Sequence, residues 1–404
     1  MKGWPVKTLG DVCQIKPPKS EARDKVSASS PVSFLPMEDM GIDVKFVHVT
    51  QTKPLSAVVG SYTYFADGDV LLAKITPCFE NGKLGIADGL KNGIGFGSSE
   101  YFVFRPDATV SKEWLYYFLS RETFRVEGAA RMTGAVGHKR VSKEFIEDYP
   151  IPVPPLAEQQ RIVGLLDEAF EGLATAKANA AKNLQNARAL FESYLQSVFT
   201  QRGPGWVETT LDRATAGVFT GPFGSLLHKH DYVENGIPLV NPAHITDTGI
   251  EPDTRKTVSE ATANRLANYI MHEGDVVIGR RGEMGRCALV TEVEHGWLCG
   301  TGSFYIKPSD RCDMGYLVRY MRSEGCRKQL EALAGGAVMP NLSNTALGGL
   351  SIFLPPLREQ KKIVNEIEAL SEQTQRLARL YERKLAALEA LKKSLLHQAF
   401  SGAL

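Results

Sequence analysis

The chain has 404 residues, of which 43% are hydrophobic and 23% are charged, and its 47 basic and 46 acidic side chains leave a formal net charge of +1. This length predicts two or three domains, and the composition is that of an ordinary globular protein with ample core. The near-neutral charge excludes a uniformly basic nucleic-acid binder, so any such affinity must come from local patches or partner subunits. Because no apolar run approaches the ~20 residues of a membrane span and the N-terminus is unlike a signal peptide, we expect a cytoplasmic protein.

The thiols and imidazoles do not indicate a metal site. The six cysteines contain no Cys-x-x-Cys pair, and the eight histidines show no metal-ligand spacing. The cysteines are Cys13, Cys78, Cys287, Cys299, Cys312 and Cys326. We expect isolated buried thiols and no disulfide or metal.

The chain is an internal repeat with an offset between 201 and 206 residues. The matched segments include Trp4-x-x-x-Thr8-Leu9 with Trp206-x-x-x-Thr210-Leu211, Val103-Phe104-Arg105-Pro106 with Tyr305-Ile306-Lys307-Pro308, and Gly134-Ala135-Val136 with Gly336-Ala337-Val338. Each copy is predicted to be a mixed domain followed by one long helix. The predicted boundaries are 1–155 for the first domain, 156–200 for the first helix, 201–205 for a linker, 206–356 for the second domain and 357–404 for the second helix.

Within each domain, glycine and proline separate short strand-like segments, at residues 70–73 and 101–104 in the first copy and 275–278 and 303–306 in the second. Short helices are predicted at residues 112–125 and 314–333. Regular βαβ alternation is absent, so we predict an α+β fold with a twisted, partly closed sheet.

The two long segments each follow a proline pair and keep an apolar heptad pattern far longer than an ordinary globular helix does. The predicted seam residues are Ile162, Leu166, Leu173 and Tyr194 in the first helix and Ile363, Ile367, Leu377 and Leu391 in the second. Both copies place a polar residue at the same seam position, Asn183 and Lys384, as coiled coils do to fix register. We therefore predict that the two helices pair with each other; the alternative is that each is an amphipathic helix buried against its own domain.

Connectivity predicts how the helices pair. A helix of about 44 residues is roughly 65 Å long. Because the linker is short, the second helix must return antiparallel to the first. The predicted molecule has pseudo-two-fold symmetry, with a coiled-coil spacer between two related but different domains. Such an arrangement suits a DNA target that has two different half-sites on either side of a spacer.

The chain resembles the specificity subunit of type I restriction-modification systems. The residues that carry the resemblance are Pro154-Pro155-Leu156-x-Glu158-Gln159, Pro355-Pro356-Leu357-x-Glu359-Gln360, Thr220-Gly221-Pro222-Phe223-Gly224-Ser225, Gly274-Asp275-Val276-Val277 and Arg281-Gly282-x-x-Gly285. The duplicated helix start is fairly specific, and the repeat order extends the resemblance over essentially the whole chain.

The resemblance implies two target recognition domains that read a bipartite, asymmetric DNA sequence. It also implies that the paired helices serve as a ruler and a dock for two modification subunits, the adenine methyltransferases, which restriction subunits can join. The chain itself would then be non-catalytic. S-adenosylmethionine, ATP and magnesium would bind to the partner subunits only.

The candidate DNA-binding residues are basic or amide side chains near glycine, where backbone amides can approach a phosphate. In the first domain they are Lys74, Lys83, Arg131, His138, Lys139 and Arg140, and in the second Lys229, Arg280, Arg281, Arg286, Asn341 and Asn344. The glycine-flanked run at residues 134–140 is basic, whereas the equivalent loop at residues 335–344 carries amides. Ordinary polar turns with solvated arginines are the alternative at these loops.

Catalytic motifs are weak. Asn241-Pro242-Ala243-His244 lacks the second proline and the aromatic residue of an adenine-methyltransferase motif and indicates a turn. Gly93-Ile94-Gly95-Phe96-Gly97 precedes a strand-like segment instead of a helix, and no Walker A motif is present. Two other functions remain open at this point: a DNA-independent scaffold that holds two proteins apart, and a self-contained DNA methyltransferase.

Overall fold

The computed structural model describes residues 3–201, 203–335 and 341–404. Their contacts form two compact units, one made of Met1–Ala181 and Glu382–Leu404 and the other of Lys182–Tyr381. The division falls within both long helices, so each unit contains one mixed domain and part of each helix.

The first unit contains two four-stranded sheets and a two-stranded ribbon. Its elements are β1 (Val6–Thr8), α1 (Leu9–Val12), β2 (Cys13–Ile15), α2 (Ser20–Lys25), β3 (Pro31–Leu35), β4 (Gln51–Pro54), α3 (Leu55–Val58), β5 (Thr63–Ala66), β6 (Val70–Ala73), β7 (Leu84–Ile86), β8 (Ile94–Gly97), β9 (Tyr101–Pro106), α4 (Lys112–Leu119), α5 (Glu122–Ala130), α6 (Lys143–Glu147), β10 (Pro150–Pro152) and the first part of α7 (Leu156–Thr200). The sheets have the orders β2-β9-β6-β7 and β4-β3-β8-β5, and β1 pairs with β10. Only the β3 and β8 pair is parallel among the strands of this unit that the structure describes.

The second unit repeats one of these sheets and the ribbon. Its elements are β11 (Val207–Thr210), α8 (Leu211–Ala214), β12 (Val218–Thr220), β13 (Tyr232–Val233), β14 (Ile237–Val240), β15 (Thr257–Val258), α9 (Glu260–Arg265), β16 (Val276–Gly279), β17 (Cys287–Leu289), β18 (Leu298–Cys299), β19 (Ser303–Ile306), α10 (Met314–Arg322), α11 (Glu324–Leu333), α12 (Asn344–Gly348), β20 (Ser351–Leu354) and the first part of α13 (Leu357–Ser401). The order β12-β19-β16-β17 copies β2-β9-β6-β7, and β11 pairs with β20 as β1 does with β10, whereas the other sheet has the order β13-β15-β14-β18. The predicted α+β class is therefore confirmed, with two sheets in each copy instead of one partly closed sheet.

Each helix predicted at residues 112–125 and 314–333 is in fact two helices. In the first unit, α4 ends at Leu119 and α5 begins at Glu122. In the second unit, the Ser323 hydroxyl accepts a hydrogen bond from the Cys326 amide at 3.4 Å and caps the start of α11. A serine at this position satisfies an amide that the new helix leaves unpaired.

A buried glutamine anchors the start of each long helix. The Gln159 side chain is 0% exposed; its amide nitrogen donates to the carbonyls of Thr109 and Pro154, each at 2.8 Å, and its oxygen accepts from the Ser111 amide at 2.9 Å. These contacts tie the first turn of α7 to the loop before α4. The proline-to-glutamine motif therefore has a structural role: it fixes where the helix leaves its domain.

Gln360 makes the same three contacts in the second unit. Its side chain is 1% exposed and bonds the carbonyls of Arg311 and Pro355 at 3.0 and 2.8 Å and the Asp313 amide at 2.7 Å. The repetition of these contacts shows that the two copies share this junction in detail.

The long helices pair antiparallel within the first unit. Arg161, near the start of α7, donates to the Leu404 carbonyl at 3.0 Å, and Lys177, farther along, forms an ion pair with Glu389. The Phe400 ring, near the end of α13, packs on the rings of Trp114 and Phe118 with centroid separations of 4.4 and 5.3 Å. The domain core therefore includes the end of the second helix.

The second unit shows the reciprocal arrangement. Phe199, near the end of α7, lies 5.6 Å from the Tyr316 ring and 5.5 Å from the Tyr320 ring, and it shares a core with Ile363 and Ile367 at the start of α13. The Tyr194 hydroxyl donates to the Glu366 carboxylate at 3.0 Å.

The predicted polar seam position is wrong. Asn183 and Lys384 are both exposed, and the inward position belongs to the next residue in each helix, the partly buried Leu184 and Leu385. Leu377 and Leu391, also predicted to be in the seam, are 40% and 46% exposed. Of the other predicted seam residues, Ile162, Leu166, Ile363 and Ile367 are buried, and Leu173 and Tyr194 are partly buried.

The correction has a simple geometric cause. The buried spacing has two successive steps of four residues, from Ala176 to Ala180 to Leu184 in α7, where a strict heptad alternates three and four. A straight helix needs such a step, because 3.6 residues per turn drifts away from a 3.5-residue repeat.

Candidate nucleic-acid interface

In the first unit, two loops predicted separately are hydrogen-bonded to each other. The segment after β6 meets the segment before α6: the Thr76 amide donates to the Lys139 carbonyl, and the Val141 amide to the Lys74 carbonyl, both at 3.0 Å. The Lys74 amide also donates to the Glu100 carbonyl, in the turn between β8 and β9, at 2.9 Å. Three chain segments thus meet at one edge of the sheet and bring their charged side chains together.

An arginine and a carboxylate form a bidentate pair at this edge. Arg140 donates from Nε and Nη2 to the two oxygens of Glu100 at 2.9 and 2.8 Å, and its Nη1 donates to the His138 carbonyl at 3.0 Å. The hydrogen bond from Arg140 lowers the pKa of Glu100. Such planar, charge-assisted contacts fix the guanidinium in one orientation.

Lysines surround this pair. The Lys74 ammonium lies 4.0 Å from Glu100, and burial lowers its pKa, as do the nearby charges of Lys16 and Arg140. Lys16 was not predicted, since a lone lysine before two prolines carries no sequence signal. It is exposed and has a φ of 60°, a left-handed backbone uncommon outside glycine. His138 and Lys139 are exposed beside the same edge.

The second unit joins the equivalent segments through different side chains. The Leu342 amide donates to the Arg280 carbonyl and the Arg280 amide to the Gly302 carbonyl, both at 2.9 Å. Arg280 Nε donates to Asn341 Oδ1 at 3.1 Å, and Arg281 forms a β-bridge with Asn341. Burial is the main cause of the lowered pKa of Arg280.

Two features of this edge bear on its comparison with the first unit. Gly302 stands where the first unit has Glu100, so the carboxylate has no counterpart at that position. Residues 336–340 of the predicted loop lie outside the described residues.

The remaining candidate residues are engaged elsewhere or lie apart from these contacts. Lys83 donates to the Met37 carbonyl at 2.6 Å, Arg131 lies over the Phe145 ring at 5.2 Å, and Arg286 pairs with Glu283 at 2.6 Å. Lys229 begins a short 3-10 helix, Lys229–Asp231, and Asn344 is the first residue of α12. Each unit therefore has its own candidate edge: Lys74, His138, Lys139 and Arg140 lie together in the first unit, and Arg280, Arg281 and Asn341 lie together in the second.

The described residues do not assemble a metal centre. Across residues 3–201, 203–335 and 341–404, no three His, Cys, Asp or Glu side chains cluster as ligands would. Within the same ranges, every helix is too short or too polar to traverse a bilayer. The Asn241-Pro242 segment forms a 3-10 turn, Pro242–His244, and the glycine-rich run forms strand β8.

Sequence comparison finds one protein family along most of the chain. The type I restriction modification DNA specificity domain matches residues 1–183 and 224–386. The type I restriction enzyme EcoEI specificity subunit of Escherichia coli is 41% identical over 198 residues, which are 49% of this chain and 33% of that protein. The EcoAI specificity subunit of the same species is 40% identical over 162 residues, 40% of this chain and 27% of the relative. The matched region thus spans about a third of the length of these two relatives.

Solved structures share the fold over the full chain. One, described as showing complex assembly and conformational transition of the type I R-M system, has a TM-score of 0.76 and 20% identity and covers 100% of this chain and 99% of its own. The HsdS subunit from Thermoanaerobacter tengcongensis has a TM-score of 0.70 and 20% identity and covers 100% and 98%. At this identity the likeness establishes the tandem fold.

Proposed function

The chain belongs to the type I restriction modification DNA specificity family, and on this premise we propose that it is the DNA-specificity subunit of a type I restriction-modification complex. In this role it selects a bipartite, asymmetric DNA sequence and docks two modification subunits, which methylate adenine, and restriction subunits can join them. The chain is proposed to be non-catalytic. S-adenosylmethionine, ATP and magnesium belong to the partner subunits.

One observation carries the proposal. In both units, segments far apart in sequence are hydrogen-bonded into one edge that presents cationic and amide side chains. Lysine and arginine position the DNA through phosphates, while arginine and asparagine read base edges. The two edges differ in chemistry, Arg140 with Glu100 in one and Arg280 with Asn341 in the other, so the half-sites they read are proposed to differ.

The scaffold alternative is tested by charge removal. The double variant Lys139→Ala, Arg281→Ala removes one exposed cation from each edge. Assembled with the modification subunit, it should bind target DNA more weakly, and the slope of log affinity against log salt should fall by about two, one for each lost phosphate contact. Binding is measured by fluorescence anisotropy between ~50 and ~200 mM salt.

A matched control removes two charges elsewhere. Lys91 precedes β8, at the end opposite the Glu100 turn, and Lys328 lies on α11, where it pairs with Glu324 at 2.6 Å. The Lys91→Ala, Lys328→Ala variant should keep the wild-type affinity and slope. A scaffold that ignores DNA would show no difference between the two double variants.

A self-contained methyltransferase requires a different test. Isothermal titration of the purified chain with S-adenosylmethionine should show no binding, because the cofactor is proposed to bind to the modification subunits. Saturable binding to the chain alone would support the methyltransferase alternative.

A further inference from the structure

We infer that Arg140, held in place by Glu100, reads a guanine in the half of the target that the first unit recognises. This inference rests on the proposed function and assigns a base to one edge of the interface. It also makes Glu100 a positioning residue, which acts on the base through the guanidinium.

The hydrogen bonds of Arg140 leave a specific pair of donors. A guanidinium has five N–H groups, and three of those on Arg140 are used by Glu100 and the His138 carbonyl. Among the contacts of the residues that the structure describes, one N–H on each terminal nitrogen is not used. Two donors on neighbouring nitrogens match the O6 and N7 acceptors that guanine presents in the major groove.

The position of the pair suits direct contact. The side chains of Arg140 and Glu100 are 45% and 23% exposed, so the guanidinium is accessible while the carboxylate is more enclosed. A guanidinium fixed before binding loses less rotamer entropy when it meets the base. Lys74 lies 4.0 Å from Glu100 and Lys139 is joined by its carbonyl to the same edge, so both cations are proposed to hold phosphates that flank the base.

The charge of Glu100 opposes DNA binding. A carboxylate beside DNA repels phosphates, so general attraction of DNA does not account for a carboxylate next to Lys74 and Arg140. In the second unit, Gly302 occupies this place and Arg280 contacts the amide oxygen of Asn341 at 3.1 Å. Among the described residues of the two edges, only the first therefore has an arginine held by a carboxylate at this place.

The test uses the full chain assembled with its modification subunit and a DNA library in which each position of the methylated sequence is randomised. Arg140→Gln should lower the preference for guanine at one position of the first unit's half by about 10- to 100-fold, because a bidentate contact is lost. Glu100→Ala should lower the same preference while raising sequence-independent binding at low salt. A merely structural ion pair would not produce these opposite changes.

The controls separate this inference from the proposed function. Arg161 makes the same bidentate contact with Glu158, at 2.7 and 2.9 Å, on helix α7. Arg161→Lys should leave the selected sequence unchanged, whereas Arg140→Lys should relax one position, and the second unit's half should remain intact in every variant.

Two outcomes would count against the assignments. If the wild-type complex selects no sequence, the proposed function fails. If it selects one and both Arg140→Gln and Glu100→Ala keep it, Arg140 does not read a base. If Arg140→Gln fails to assemble with the modification subunit, the inference is decided by the guanine preference and the low-salt binding of Glu100→Ala.

Discussion

At the residue scale, the two glutamines show what a repeat in sequence does and does not reveal. Gln159 and Gln360 stand out because the same motif occurs twice, but two of the three partners of each lie about 50 residues earlier, before α4 and α10. No periodicity predicts such a contact, because it depends on how the domain folds back on its helix. In the sequence, the motif indicates the protein family. In the structure, its glutamine anchors the helix.

Replacing a glutamine anchor should destabilise its unit. Gln360→Ala leaves the Asp313 amide and two carbonyls without their buried partner. We expect the free energy of unfolding of that unit to fall by about 2–4 kcal/mol. The exposed Gln196 provides a matched control, and its alanine variant should change the urea midpoint very little. Equal midpoints for the two variants would refute the anchoring role.

The thiols offer a second test at this scale. Cys78 is partly exposed in the segment after β6, two residues beyond the amide that bonds to Lys139. The other five cysteines are buried, and burial raises the pKa of Cys287 to about 11 and of Cys13 and Cys312 to about 12. At pH 8 these thiols carry little thiolate and should resist alkylation.

Cys78 should therefore react first with iodoacetamide. Because it lies at the proposed interface, target DNA should slow its alkylation in the assembled complex, as measured by peptide mass spectrometry. A rate that is the same with target DNA, unrelated DNA and no DNA would place Cys78 outside the interface.

At the element scale, the long helices were predictable and their register was not. The helices begin at Leu156 and Leu357, directly after the proline pairs, since proline favours an extended residue before it. The heptad pattern identified the inward residues at the helix starts, such as Ile162 and Ile363. It failed at Asn183 and Lys384 because two successive four-residue steps in each helix move the inward face by one position.

The corrected register predicts how substitutions in the long helices change the stability of the protein. The double variant Asn183→Leu, Lys384→Leu changes two exposed side chains and should alter the free energy of unfolding by less than about 0.5 kcal/mol. Leu385→Ala removes a partly buried side chain and should lower it by about 1–2 kcal/mol. Both are measured by urea denaturation. A marked rise in the stability of the double leucine variant would contradict the corrected register and support the seam position predicted for Asn183 and Lys384.

The interface loops illustrate the same limit. Glycine and basic residues identified the segments around Lys74, Lys139 and Arg280 one by one. Their pairing was not predictable, because the Lys74 carbonyl and the Val141 amide are joined across more than sixty residues. Lys83, Arg131 and Arg286 are also basic residues near glycine, but their side chains contact other groups. A basic residue near glycine therefore does not by itself predict a position at either candidate edge.

At the scale of the whole molecule, the internal repeat determined most of what could be predicted. Two copies of one domain, each followed by a helix, imply two related sites, and the structure repeats the sheet order β2-β9-β6-β7 as β12-β19-β16-β17. The differences between copies, Glu100 against Gly302 above all, carry the proposed difference in specificity. The sequence alone does not reveal this difference, because Glu100 and Gly302 are recognised as equivalent only when the two edges are aligned in the structure.

The most direct test of the account exchanges the domains. The chain is co-expressed with its modification subunit, residues 1–155 or 206–356 are replaced by the matching domain of another family member, and methylated adenines are mapped by sequencing. We predict a two-part methylated sequence in which each exchange changes one half and leaves the other intact. Methylation that ignores both exchanges would contradict the specificity function.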